Sequence, residues 1–129
     1  MNTINELEKL KEKLPKIAEE NIQGRMQIYE QLALGNSKLR DEEGVALRQY
    51  LRAKQHRETE YRKRLISEME VGLAYNKADV QARLNCSPEY NMEIECEAEY
   101  KHLRAYASGI SDLLSAIMQN NSILKLELK

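Results

Sequence analysis

Glu99-x-x-His102, with Glu95 one turn earlier, has the spacing by which a helix offers a carboxylate and an imidazole to one metal ion. A di-metal bundle needs a second such pair, and the other histidine, His56, has Ala53 three residues before it. The Glu99–His102 spacing therefore reads as a solvated helix face. Cys96 and His102 lie nearly two helical turns apart, too far to act as nucleophile and base. The chain has no phosphate-binding glycine loop, no cysteine cluster with zinc spacing and no nucleophile elbow. No catalytic residue, metal or cofactor is expected, and the chain does not read as an enzyme.

The residues that could act otherwise are cations. From Arg48 to Arg64 the chain carries Arg48, Arg52, Lys54, Arg57, Arg62, Lys63 and Arg64 against Glu58 and Glu60, with Tyr50 and Tyr61 set among them. Single-stranded nucleic acid is held by this pairing of types, because cations follow the phosphates while rings stack on bases. Farther on, Glu89, Glu93, Glu95, Glu97 and Glu99 follow one another without Lys or Arg. If two helices turn back on each other near Cys86, the acidic run falls beside residues 73–83. The basic run then faces Ser108 to Leu124, where Asp112 is the single charge. On that register the basic run is left for phosphate or for acidic residues of another subunit. Charge runs also form solvated coiled-coil faces and tyrosines at helical spacing also form cores, so a scaffold, adaptor or chaperone that binds only proteins is the alternative.

The elements that would position these residues are helical. Thr3-Ile4-Asn5-Glu6 has the form of a capping box, and Ile4, Leu7, Leu10, Leu14 and Ile17 follow as an amphipathic stripe. Pro15 should break or kink that stripe near Leu14 and open a second helix. The second helix is expected to stop at Gly35, followed by a polar connector over residues 35–44. From about Asp41 to Leu84, Leu47, Tyr50, Leu51, Tyr61, Leu65, Met69, Leu73, Val80 and Leu84 recur at helical spacing. A helix of that extent is about 65 Å long, more than its own chain can cover. Ser87-Pro88-Glu89 then restarts a helix expected to run to about Gln119 and to fray at Asn120-Asn121-Ser122. The fold expected is all-α: a long antiparallel helical hairpin over residues 45–129, preceded by two shorter amphipathic helices over residues 1–34, in one domain that assembles as a helical oligomer.

Composition agrees. The chain has 129 residues, no Trp or Phe, two Pro, five Gly and 32% charged residues, as long helices and coiled coils do. Its net charge of −1 gives no global preference for polyanions, so any such preference must be local. Cys86 and Cys96 are expected as free thiols, and no apolar run reaches the ~20 residues of a membrane span, so a cytoplasmic protein with no membrane partner is expected. The nearly uncharged segment with Ile110, Leu113, Leu114, Ile117, Ile123 and Leu124 is apolar on more than one face, which points to self-association as a homo-oligomer.

Lys77-Ala78-Asp79-Val80-Gln81-Ala82-Arg83-Leu84 resembles the Lys-Ala-Arg-Leu motif that closes a helix in the phage recombination mediator family (UvsY type). Leu113-Leu114-Ser115-Ala116-Ile117, followed by Ile123-Leu124-Lys125, is similar to that family's C-terminal oligomerisation helix. The resemblance covers roughly residues 45–125. It implies a ring-forming, non-catalytic protein that holds single-stranded DNA and helps load a recombinase onto strands coated by single-strand-binding protein. The host cytoplasm would be its place if a phage encodes it. The motif's DNA-binding positions correspond to Gln81 and Arg83, with Lys77 one turn earlier on the same face as a substitute cation. With these the candidate nucleic-acid-binding set is Arg48, Arg52, Lys54, Arg57, Tyr61, Arg62, Lys63, Lys77 and Arg83.

Overall fold

Asn2 opens the first helix, α1 (Thr3–Lys13), its side-chain oxygen accepting from the amides of Ile4 at 2.7 Å and Asn5 at 3.4 Å. The cap is thus one residue earlier than the expected Thr3 box, and Thr3, which is buried, donates its hydroxyl to Glu42 at 2.6 Å instead. This computed structural model describes residues 2–18 and 21–127, apart from the side chains of Leu124 and Lys125. Pro15 breaks the helix: it sits in a single 3-10 turn, Leu14–Lys16, after which Ile17 is extended.

Among the described residues the chain is wholly helical beyond its turns. The helix α2 (Ile22–Glu70) runs through Gly35 and through residues 35–44, where a stop and a connector were expected. Gly35 is present for packing, since a Cβ there would stand 2.5 Å from Cδ2 of the fully buried Leu7. The Asn21 side chain begins α2 by accepting from the Gly24 amide at 2.9 Å. Gly72 ends it, with φ of +100° and the Leu73 amide donating back to the Glu68 carbonyl at 3.2 Å. The expected helix through Leu84 is therefore interrupted, and α3 (Tyr75–Asn85) follows as a separate element. The last helix, α4 (Ser87–Glu127), continues across Asn120-Asn121-Ser122, because buried Asn121 donates to Met26 Sδ at 3.0 Å.

The helices gather into two units, one of Met1–Glu43 with His102–Lys129 and one of Gly44–Lys101. The first has a packed apolar interior built from Leu7, Ile28, Leu32, Leu39, Leu103, Ala107, Ile110 and Ile117. Asn36 reaches Ser111 at 3.1 Å within it, and Tyr106 donates its hydroxyl to Glu8. Ile110 and Ile117, expected to face another subunit, are spent in this interior at 2% and 1% exposure. Leu113 and Leu114 are half-buried and Ile123 is exposed, while the Leu124 side chain lies outside the described residues.

The second unit has no large aliphatic side chain fully buried; Ala46, Ala78, Ala82 and Cys86 are its buried small residues. Polar pairs hold it instead. Tyr50 stacks on Tyr100, Arg57 meets Glu93 and Arg64 meets Glu89, so residue order along α2 is opposed by residue order along α4. The expected register is corrected by this pairing. With α2 ending at Gly72 and α3 inserted before α4, the acidic run lies beside the basic run and neutralises part of it.

Candidate nucleic-acid interface

The candidate cations divide by the face of α2 or α3 on which they fall. Arg57 and Arg64 are seven residues apart, two turns, and share the inner face. Nε of Arg57 donates to Glu93 at 2.5 Å, and Glu93 is 7% exposed. Arg64 donates to Glu89 at 3.0 Å through Nη2 and at 3.4 Å through Nη1. The Glu93 carboxylate holds the Arg57 guanidinium above its ordinary range, and the Cys86 side chain, then Glu89, does the same for Arg64. Neither arginine is available to phosphate without breaking a pair.

Arg83 is likewise engaged. Its Nε donates to both oxygens of Asp79, at 3.1 and 3.2 Å, from one turn farther along α3. Tyr61 donates its hydroxyl to the same carboxylate, and the Arg83 guanidinium lies 5.6 Å over the Tyr61 ring. The Tyr61 hydrogen bond, followed by that of Arg83, lowers the Asp79 pKa, while the Asp79 carboxylate raises that of Tyr61. The paired alanines of the Lys77–Leu84 stretch, Ala78 and Ala82, are fully buried, and Lys77 and Gln81 are exposed.

Arg48, Arg52 and Arg62 fall on the opposite face of α2 from Arg57, by a helical repeat of ~3.6 residues. All three are exposed, and none has an ion pair among the described residues. Lys63 borders them, 70% exposed and 3.6 Å from Glu60. Lys54 is exposed on the flank between the two faces. From Arg48 to Lys63 this stripe extends roughly 22 Å along the helix. Arg48 and Arg52 lie one turn apart, and Arg62 with Lys63 lies about 15 Å farther on, so this face offers two groups of cations to the phosphates of a strand laid along it.

A cavity of about 290 Å³ opens between α2, α3 and the start of α4, lined by Arg57, Tyr61, Arg83, Cys86, Ser87, Tyr90 and Asn91. Ser87, expected to cap α4, instead donates its hydroxyl to the Leu84 carbonyl at 2.7 Å and closes α3. Arg57 also lies 6.0 Å over the Tyr90 ring. Tyr90, Asn91 and the acidic partners Asp79, Glu89 and Glu93 were absent from the candidate set. The Asp79–Arg83 spacing of four was a legible helical pair; the contacts across helices depend on where Gly72 sets the turn.

Glu95, Glu99 and His102 are all exposed on α4. Among the described residues no group of three His, Cys, Asp or Glu is placed to hold a metal ion, and no helix is long and apolar enough to cross a membrane. No protein-family model, characterised protein or solved structure matches this chain.

Proposed function

We propose that this chain is a non-catalytic accessory protein that self-associates and holds single-stranded DNA along the outer stripe of α2. The observation that carries the reading is the set Arg48, Arg52 and Arg62, exposed on one face without carboxylate partners in a unit that pairs its other arginines. Unpaired cations in line repel one another, and a polyanion relieves that repulsion while releasing its own counterions. A mediator that loads a recombinase onto coated strands, as the Lys77–Leu84 resemblance implies, would use such a surface. Its antiparallel helical arms would be joined between subunits by the exposed Met118, Ile123 and Leu126.

The test is fluorescence anisotropy of a labelled ~30-nucleotide strand at low and moderate salt. With about three or four phosphates contacted, the logarithm of the affinity should fall with that of salt at a slope near −2 to −3. No binding at low salt rejects the reading.

A second reading has its own observation in support. Arg57 and Arg64 already meet the acidic run, which leaves Glu95 and Glu99 exposed on α4. These could accept the outer stripe of a second copy, making the protein a scaffold that binds only proteins. Charge reversal of Arg52 and Arg62 would then change the sedimenting mass and leave no DNA binding to lose.

A further inference from the structure

The cavity of the second unit has a lining that the fold alone does not require. Arg57 lies over Tyr90 and Arg83 over Tyr61, at 6.0 and 5.6 Å, so two aromatic rings and two guanidinium planes border one space. Each guanidinium is already met by a carboxylate, Glu93 at 2.5 Å and Asp79 at 3.1 Å. The space is therefore close to neutral and is a poor trap for a free anion. What it offers is flat, polarisable surface, together with the Asn91 amide, which makes no side-chain hydrogen bond among the described residues. A primary amide presents a donor and an acceptor side by side, the complement of a heterocycle's edge.

Size narrows the ligand further. At about 290 Å³ the cavity is at the lower limit of ligand clefts, which run from ~300 to 1,000 Å³, so it has room for one ring system. The Tyr61 hydroxyl is anchored on Asp79 and the Arg57 guanidinium on Glu93, so the walls are ordered before a ligand arrives and little freedom is lost on binding. Lys54 stands two turns before Tyr61 on the same side of α2, exposed, where a phosphate next to an inserted ring would pass.

We propose that this cavity takes a single nucleobase of the bound strand, stacked against Tyr90 with its edge on Asn91. The proposal rests on the reading of the chain as a single-strand binder and adds to it a base-contacting site away from the phosphate stripe.

The experiment compares a labelled oligothymidylate with an abasic strand of equal length, on wild-type protein, Tyr90→Ala and Tyr90→Phe. Tyr90 is 53% exposed, so both variants should keep the helical circular dichroism of the parent. The wild type should bind the base-bearing strand at least ~10-fold more tightly, Tyr90→Ala should abolish that difference, and Tyr90→Phe should keep it. Equal affinity for both strands would leave the phosphate reading standing and overturn the base site. A base preference untouched by Tyr90→Ala would place the site elsewhere and overturn it too. If neither strand binds, the functional reading fails and the proposed base site fails with it.

Discussion

Single contacts carry the second unit, because its buried residues are alanines and a cysteine rather than large aliphatics. Glu93 is the most consequential of them: it is buried and receives Arg57 through two nitrogens, at 2.5 and 3.5 Å. Glu93→Gln should cost about 1–2 kcal/mol in urea unfolding, since Arg57 is only partly screened and would lose its counter-charge. An unchanged midpoint would mean that water serves Arg57 equally well. Asp79 gives the unit a pH dependence. Its pKa is lower folded than unfolded, so its contribution is complete above the ordinary range near 3.9 and disappears as pH falls through the folded value. The melting temperature should thus drop on acidification below about pH 4, and Asp79→Asn should flatten that drop. None of these partners was legible beyond the helical pair Asp79–Arg83. Spacing within a helix is written in the sequence, whereas the partner of Arg57 depends on the turn position some fifteen residues away.

Glycines show the same division at the level of the helix. Gly35 reads as a helix stop and Gly44 as the end of a polar connector, yet α2 passes through both. A Cβ at Gly44 would meet only an Arg48 nitrogen at 4.0 Å, whereas at Gly35 it would meet Leu7 at 2.5 Å. Gly44→Ala should therefore stabilise by about 0.5–1 kcal/mol through helix propensity. Gly35→Val should destabilise by about 1–3 kcal/mol through overpacking, despite the same gain in backbone restriction. Thermal unfolding of the two variants reads the contrast directly, and equal shifts would contradict it. The glycine that does stop the helix is Gly72, the one with positive φ. Its role could have been seen as the sole glycine between Gly44 and Pro88, but the apolar repeat continues across it through Leu73, Val80 and Leu84 and concealed the break. Those three side chains are in fact exposed, so the period marked surface rather than a continuous buried seam.

For the chain as a whole, helical class was legible from composition and period, while the division of labour between apolar residues was not. Ile110 and Ile117 belong to the interior of the first unit, so Ile117→Ala should cost about 2–4 kcal/mol of stability rather than simply separate subunits. Met118→Glu with Ile123→Glu, at exposed positions, should instead lower the sedimenting mass and keep the helix content. A mass unaffected by that pair of changes would remove these residues from self-association. The central claim concerns the outer stripe, and charge reversal tests it most directly. Anisotropy of a labelled single strand should be measured for wild type and for the Arg48→Glu, Arg52→Glu, Arg62→Glu variant across a salt series. The account predicts that reversal weakens binding by more than ~100-fold at low salt and brings the salt slope toward zero. Wild-type binding that survives reversal with its slope intact would show that single-stranded DNA, where it binds, lies on another surface.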